Sequence, residues 1–393
     1  MKKYIKQIAA FAFIVTLASC SADDNMELGT TGGNAVPTTS SISRLDNNYN
    51  LPLNTYTKAG VTVSKVEIFK NTAKTTSEPI VFGAKVADAT LSEGKATFNT
   101  STLGSFDNFP VTKDGVTTLT GKTGTFALAV LATYSDGTTS QAQFNLAVGK
   151  GITWQGYDDE GHLVNTTSSG VSSILYKDPT PALIYIAPIK KSTTTVTSIV
   201  GYWSKNDSGT FAALPLTLTN GAQPIDLAKI SYDTYGGGLV AGDKITYKFI
   251  ITAGTQTDEI STTVTFDNQE FGSSNEGSIS NTASTFSFAT GDNSASEITF
   301  VSPFGFKAST DVTIDFVEST LDFETADLFA ADAAYAAGTK VVSLSNLDAG
   351  DVVLYKITRN KVATYGLIEV TDKVQGTTSQ ELKFSYKEGV LHK

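Results

Sequence analysis

The sequence predicts an all-β protein, and three observations carry that prediction. Ser and Thr make up 94 of its 393 residues while only 17% are charged, a composition that favours strands and turns over solvated helices. Its 33 glycines and its Asp-Gly and Asn-Asp turns punctuate runs in which apolar and polar residues alternate with period two. A single stretch, Asp322 to Gly338, has helical spacing, with early acids, an alanine-rich middle and a glycine stop. At roughly 100 to 150 residues per domain the length divides into two or three units. Three tandem modules are expected, the last with one short helix that caps its sandwich. One cysteine excludes a disulfide framework, and two histidines leave no material for a multi-histidine metal site or imidazole catalysis. No metal and no cofactor is expected.

The N-terminus reads as an address. Lys2, Lys3 and Lys6 precede an apolar run from Ile8 to Leu17 and then small residues, so 1–19 is expected to be a secretory signal, too short to span a bilayer permanently. Leu17-Ala18-Ser19-Cys20 resembles the lipobox of bacterial lipoproteins, which implies that the Cys20 thiol is diacylglycerated and becomes the first mature residue. Two or three acyl chains on one residue give stable anchoring. Removing the three lysines takes the 29 basic residues to 26, against 39 acidic ones, a formal −13. A body of that sign is a poor partner for nucleic acid or anionic lipid head groups. Ser21-Ala22-Asp23-Asp24-Asn25 resembles the short export signal that sends lipoproteins of Bacteroidota to the outer face of the outer membrane; the alternative is that the two acids begin a solvated tether. Residues 20–42 are expected to form a flexible stalk, because Met26 to Ser41 is Gly, Thr, Asn and Ser with almost nothing apolar to bury.

The first module is placed at 43–148. Phe126, Leu128, Val130, Ala132 and Tyr134 alternate into the turn Ser135-Asp136-Gly137-Thr138, and Ala142, Phe144, Leu146 and Val148 alternate out of it, a strong hairpin signal. Together with "VSKVEIFKN" upstream, this hairpin resembles the early and last strands of bacterial immunoglobulin-like domains. Residues 149–170 are expected to be a linker. The second module, 171–266, carries a strand, the turn Asn206-Asp207-Ser208-Gly209 and a second strand, which look like the central hairpin of fibronectin-type or immunoglobulin-like sandwiches. The third, 275–393, contains Phe286, Phe288, Ile298 and Phe300, then "VTIDFV", then a C-terminal strand pair. Leu239 to Phe249 and Leu347 to Ile357 are identical at six of eleven positions. In both, Gly-Asp makes a turn and a half-buried strand follows with an inward aromatic.

Catalysis finds little support. No Gly-x-Ser-x-Gly elbow, phosphate-binding glycine loop or His-Glu-x-x-His is present, and His162 in Tyr157-Asp158-Asp159-Glu160-Gly161-His162 reads as a solvated turn. The protein is expected not to be an enzyme. Aromatic platforms are the better lead, since sugar-binding sandwiches stack sugar faces on exposed Trp or Tyr with amides and carboxylates fixing the hydroxyls. Trp203 lies beside Tyr202 on one strand. If Val200 and Tyr202 face the core, Trp203 is an outward platform beside Lys205, Asn206 and Asp207; otherwise it packs inside. Tyr232 and Tyr235, before three glycines, form an aromatic loop, and Trp154 with Tyr157 stands at a module junction where interface packing is the simpler role.

Anchor, stalk and three β modules together resemble multi-domain surface lipoproteins of Bacteroidota, and SusE-type starch-binding lipoproteins share this length and layout. The resemblance implies a non-catalytic surface binding protein, with a polysaccharide as ligand and an outer-membrane transporter as a partner. The alternative is a structural or adhesive protein that binds another protein. An exposed aromatic cluster flanked by amides favours the first; an exposed apolar edge favours the second.

Overall fold

The computed structural model describes residues 33–73 and 78–392. The signal segment, Cys20 and the first part of the expected stalk lie outside the described residues. The chain folds into three tandem two-sheet β-sandwiches with one α-helix among the described residues.

In the first sandwich a four-stranded sheet faces a five-stranded one. The expected hairpin is its centre: Gly124–Tyr134 pairs antiparallel with Thr139–Gly149, Leu128 opposite Phe144 and Val130 opposite Ala142. Gly137 takes the positive φ of 81° that the turn requires. The inward set, Leu128, Val130 and Leu146, meets Val66 and Ile68 of the neighbouring strand in the core. The last part of the expected stalk, residues 33–42, belongs to the sandwich instead. Gly33–Pro37 and Ser41–Ser43 are both strands, the first on Asn50–Thr57 and the second parallel to Thr139–Gly149. The only apolar side chains these segments bury are Ala35 and Ile42. For an edge strand two anchors suffice, because the ladder satisfies its backbone. Phe109–Lys113 and Val116–Gly121 form a separate two-stranded hairpin that belongs to neither sheet.

The second sandwich begins earlier than expected and absorbs the supposed linker. Ile152–Tyr157 and Leu163–Thr166 form a hairpin in its four-stranded sheet, with Leu183–Pro188 and Gln223–Asp226. Ile152 and Trp154 are buried, so the "linker" supplies core. The internal echo is geometrically real. Gly242 and Gly350 adopt φ of 89° and 94°, and the Oδ2 atoms of Asp243 and Asp351 accept from the backbone N–H three residues earlier at 2.8 Å. In both copies the strand that follows carries a fully buried tyrosine, Tyr247 or Tyr355.

The third sandwich packs a five-stranded sheet against a four-stranded one. Helix α1, Leu328–Ala337, covers the outer face of the larger sheet, where Leu328 and Ala331 meet Val317, Leu354 and Leu367. That sheet is covered on both sides, which is why "VVLYKI" and "YGLIEV" read as nearly continuous apolar runs. The helix is shorter than the Asp322–Gly338 span. Asp322 instead closes a turn on Thr325, and Asp327 is the N-cap, accepting from the Ala330 N–H at 2.7 Å. Gly338 ends it at a close approach, since a Cβ there would sit 2.2 Å from Val317.

Both junctions are bonded. The single turn Arg44–Asp46 inserts Leu45 into the core of the second sandwich, and a Cβ on Gly151 would meet that leucine at 2.5 Å. Asp46 Oδ1 accepts from the backbone N–H of Lys191 and of Ser192, each at 2.7 Å. Arg44, 2% exposed, donates to the carbonyls of Phe106 and Lys122 in the first sandwich and Thr257 in the second. At the other junction Gln269 Nε2 donates to the carbonyls of Tyr176 and His392, both at 2.8 Å, and Tyr176 packs edge-on against Phe329 of α1.

Candidate functional site

The four aromatic candidates from the sequence do not form a platform. Trp154 is 3% exposed, edge-on to Phe249 at 6.1 Å in the second core. It shares the inward phase of its strand with Ile152. Tyr235 is fully buried; its hydroxyl meets that of Tyr247 at 2.6 Å, and burial pushes its pKa up to about 12. Tyr232 is half-buried in the junction between the second and third sandwiches. Its ring stacks on Tyr176 at 5.3 Å, and its hydroxyl accepts from the Lys177 N–H at 2.7 Å. Trp203 follows the inward alternative. Val200 is 39% exposed and Gly201 is buried, so the strand has the opposite phase to the one an outward Trp203 needs. The indole packs edge-on to Tyr235 at 5.3 Å, half-buried against the core. Tyr202 is the outward neighbour, and Lys248 Nζ lies between it and Phe211, 3.9 Å from the Phe211 centroid.

An exposed aromatic cluster does exist, on the outer face of the four-stranded sheet of the second sandwich. The phase that buries Ile152 and Trp154 turns Gln155 and Tyr157 outward, and the phase that buries Ile184 and Ile186 turns Tyr185 outward. Tyr157 is 61% exposed and stands edge-on to Tyr185, with centroids 5.5 Å apart and planes at 81°. The Tyr157 hydroxyl donates to that of Tyr185 at 3.4 Å, and this contact, with some desolvation, holds the Tyr185 hydroxyl above its ordinary pKa. Gln155 is directly opposite both Asn165 and Tyr185 in the ladders, and its Nε2 donates to Asn165 Oδ1 at 3.3 Å. Leu163, opposite Tyr157, and Leu183 are each at least 40% exposed. The face therefore offers one tyrosine ring to solvent, a second ring at right angles, a pair of amides and an apolar fringe. Tyr157 was an aromatic candidate for which junction packing was the simpler expectation, and Tyr185 was not among the candidates. The alternation of Leu183-Ile184-Tyr185-Ile186 was the signal that could have found it.

Ionisable clusters elsewhere are internally paired. Arg359 donates to Glu297 at 2.6 and 2.8 Å and to Glu388 at 3.0 Å, and Tyr355 donates to Glu388 at 2.8 Å. Burial raises the Glu297 carboxyl, but Arg359 outweighs it and holds the group below the ordinary glutamate range. His162, on the solvated turn beside Tyr157, has Nδ1 3.6 Å from Asp158 and 3.7 Å from Glu160. Among the described residues no group of three or more His, Cys, Asp or Glu is arranged to hold a metal ion, and no helix is long and apolar enough to cross a membrane.

No family model matches the chain, and no curated protein matches its sequence. Among solved structures it is similar to the fibronectin(III)-like modules of Clostridium thermocellum CbhA, at 10% identity, TM-score 0.18, covering 60% of this chain and 95% of that one. An I-band fragment of titin matches at 8% identity and TM-score 0.23, covering 84% and 94%. The three N-terminal domains of the bacteriophage RB49 highly immunogenic outer capsid protein match at 11% identity and TM-score 0.28, covering 91% and 97%.

Proposed function

We propose that this chain is a non-catalytic surface protein, held in the outer membrane by lipid on Cys20, which binds a glycan on the outer face of its second sandwich. The observation that carries the reading is the exposed Tyr157 ring with Tyr185, Gln155 and Asn165 in register beside it. An aromatic face supplies apolar area to a sugar ring at low entropic cost, and primary amides both donate to and accept from hydroxyls. The bonded junctions support the same reading, because they hold the face at a fixed place along the three modules rather than on a swinging domain. Tyr157→Ala tests it by affinity electrophoresis in gels cast with soluble glycans. Loss of roughly 1–3 kcal/mol of binding, by analogy with aromatic stacking on bases, with an unchanged melt is expected; equal retardation of variant and parent contradicts it. For the anchor, Cys20→Ala should move the protein from the detergent phase to the aqueous phase when it is expressed in its own host.

One observation favours the second reading, a protein partner. The hairpin Phe109–Gly121 projects with Val111, Val116 and Leu119 exposed, the last two by 64% and 65%. An isolated hairpin with unpaired edges suits strand addition by another chain. Cross-linking from Val116 that captures the same partner before and after Tyr157→Ala would separate this contact from the glycan face.

A further inference from the structure

The rim of the Tyr157 face is acidic, and that restricts what the face holds; the argument rests on the glycan reading above. Tyr157 is the last residue of its strand, and the chain continues into Asp158, Asp159 and Glu160 before returning at Leu163, the cross-strand partner of Tyr157. Asp158 is held by the turn, accepting from the Glu160 and His162 N–H groups at 3.0 and 2.8 Å. Asp159 is exposed, and the Glu160 side chain is 82% exposed. At the far edge the face ends in Asp226, whose Oδ2 is 3.5 Å from the exposed Lys229. At this rim Lys229 already lies against Asp226 and the His162 imidazole against Asp158 and Glu160, so an incoming anion meets an excess of carboxylates.

We infer that the face takes an uncharged, dissolved sugar chain and discriminates against glycans that carry uronate or sulfate groups. The ring geometry bears on the physical state of the ligand. With the two planes at 81°, one ring lies flat against a sugar and the other presents its edge. That arrangement fits a single chain and not the flat surface of a crystalline polymer, which needs coplanar rings. The discrimination is electrostatic between solvent-exposed groups, so it fades as salt shortens the screening length from about 10 Å at 0.1 M to about 3 Å at 1 M.

The test is affinity electrophoresis of the full mature chain in gels containing soluble starch, xyloglucan or galactomannan, and in gels containing polygalacturonate or heparin, at low and high salt. At least one neutral polymer should retard the protein, with little salt dependence and a loss of about tenfold or more on Tyr157→Ala. The anionic polymers should not retard it at low salt, and Asp159→Asn with Glu160→Gln should raise retardation in polygalacturonate several-fold. Retardation by an anionic polymer equal to that by the neutral ones at low salt, and abolished by Tyr157→Ala, overturns the charge inference and leaves the glycan reading standing. An unchanged response of the double variant to polygalacturonate also overturns it. If no gel retards the protein, the glycan reading falls and the inference with it.

Discussion

Replacing Arg44 by methionine should loosen the joint between the first two sandwiches and destabilise both. The guanidinium is 2% exposed and donates to the carbonyls of Phe106 at 2.6 Å, Lys122 at 2.9 Å and Thr257 at 3.2 Å. It also pairs with Asp107, but that carboxylate is half in solvent and contributes little. Asp258 decides the magnitude. Its side chain is fully buried, Oδ2 accepts from the Gly151 N–H at 2.6 Å, and Oδ1 has no hydrogen-bond partner, only Arg44 and Lys150 at 3.7 Å each. Methionine keeps the aliphatic stem and removes the better-buried of those two cations. Stranding a buried carboxylate in this way costs about 3–5 kcal/mol. For a cooperative unit of this size each kcal/mol lowers Tm by roughly 2–4 °C. Calorimetry should therefore show a fall of about 6–20 °C, and small-angle scattering should show a broader distribution of module orientations. Adding Asp258→Leu removes the stranded charge and should recover at least about 2 kcal/mol of the loss. A shift for Arg44→Met below about 3 °C, or a double variant no more stable than the single one, would refute the assignment.

Other expectations follow from the core and the edges. Trp154→Ala should destabilise the second sandwich by about 3–5 kcal/mol, and Trp203→Ala by less because its indole is only half-buried; denaturant melts check both. In the third sandwich the Glu297 carboxyl lies below its unfolded value near 4.3. Its contribution is therefore fully present above that value and lost as pH falls through the lowered folded value. Stability measured between pH 5 and pH 2 should decline less steeply in Glu297→Gln than in the parent. Limited proteolysis should cut first in the exposed hairpin around Lys113 and Asp114, not within the strands Ile152–Tyr157 and Leu163–Thr166, whose backbone is bonded in a sheet.

The fold class was legible because alternation and turn chemistry are local. The hairpin around Asp136-Gly137 and the twin Gly-Asp turns at Asp243 and Asp351 follow from residues close in sequence, and the structure has them. The module boundaries were less legible. Residues 33–42 and 149–170 are polar and rich in small residues, which looks like tether and linker, but a strand whose backbone is satisfied by its ladder needs only one or two buried anchors such as Ala35, Ile42 or Trp154. The site was hardest to read, because outward and inward phases of a strand differ by one residue. Trp203 and Tyr202 were adjacent candidates, and only the packing of Ile199 and Gly201 fixes which one faces out. Tyr157 and Tyr185 are 28 residues apart, and the register of two adjacent strands brings their rings together. The bonded joint depends on pairs separated by 100 residues and more, such as Arg44 with Thr257, which periodicity does not reveal.

The most direct test of the account is a crystal structure of the protein with a neutral oligosaccharide that retards it in gels. A sugar ring is expected to lie flat on Tyr157, with its hydroxyls within hydrogen-bond distance of Gln155 or Asn165. Sugar density elsewhere, with the Tyr157 face bare, would contradict it.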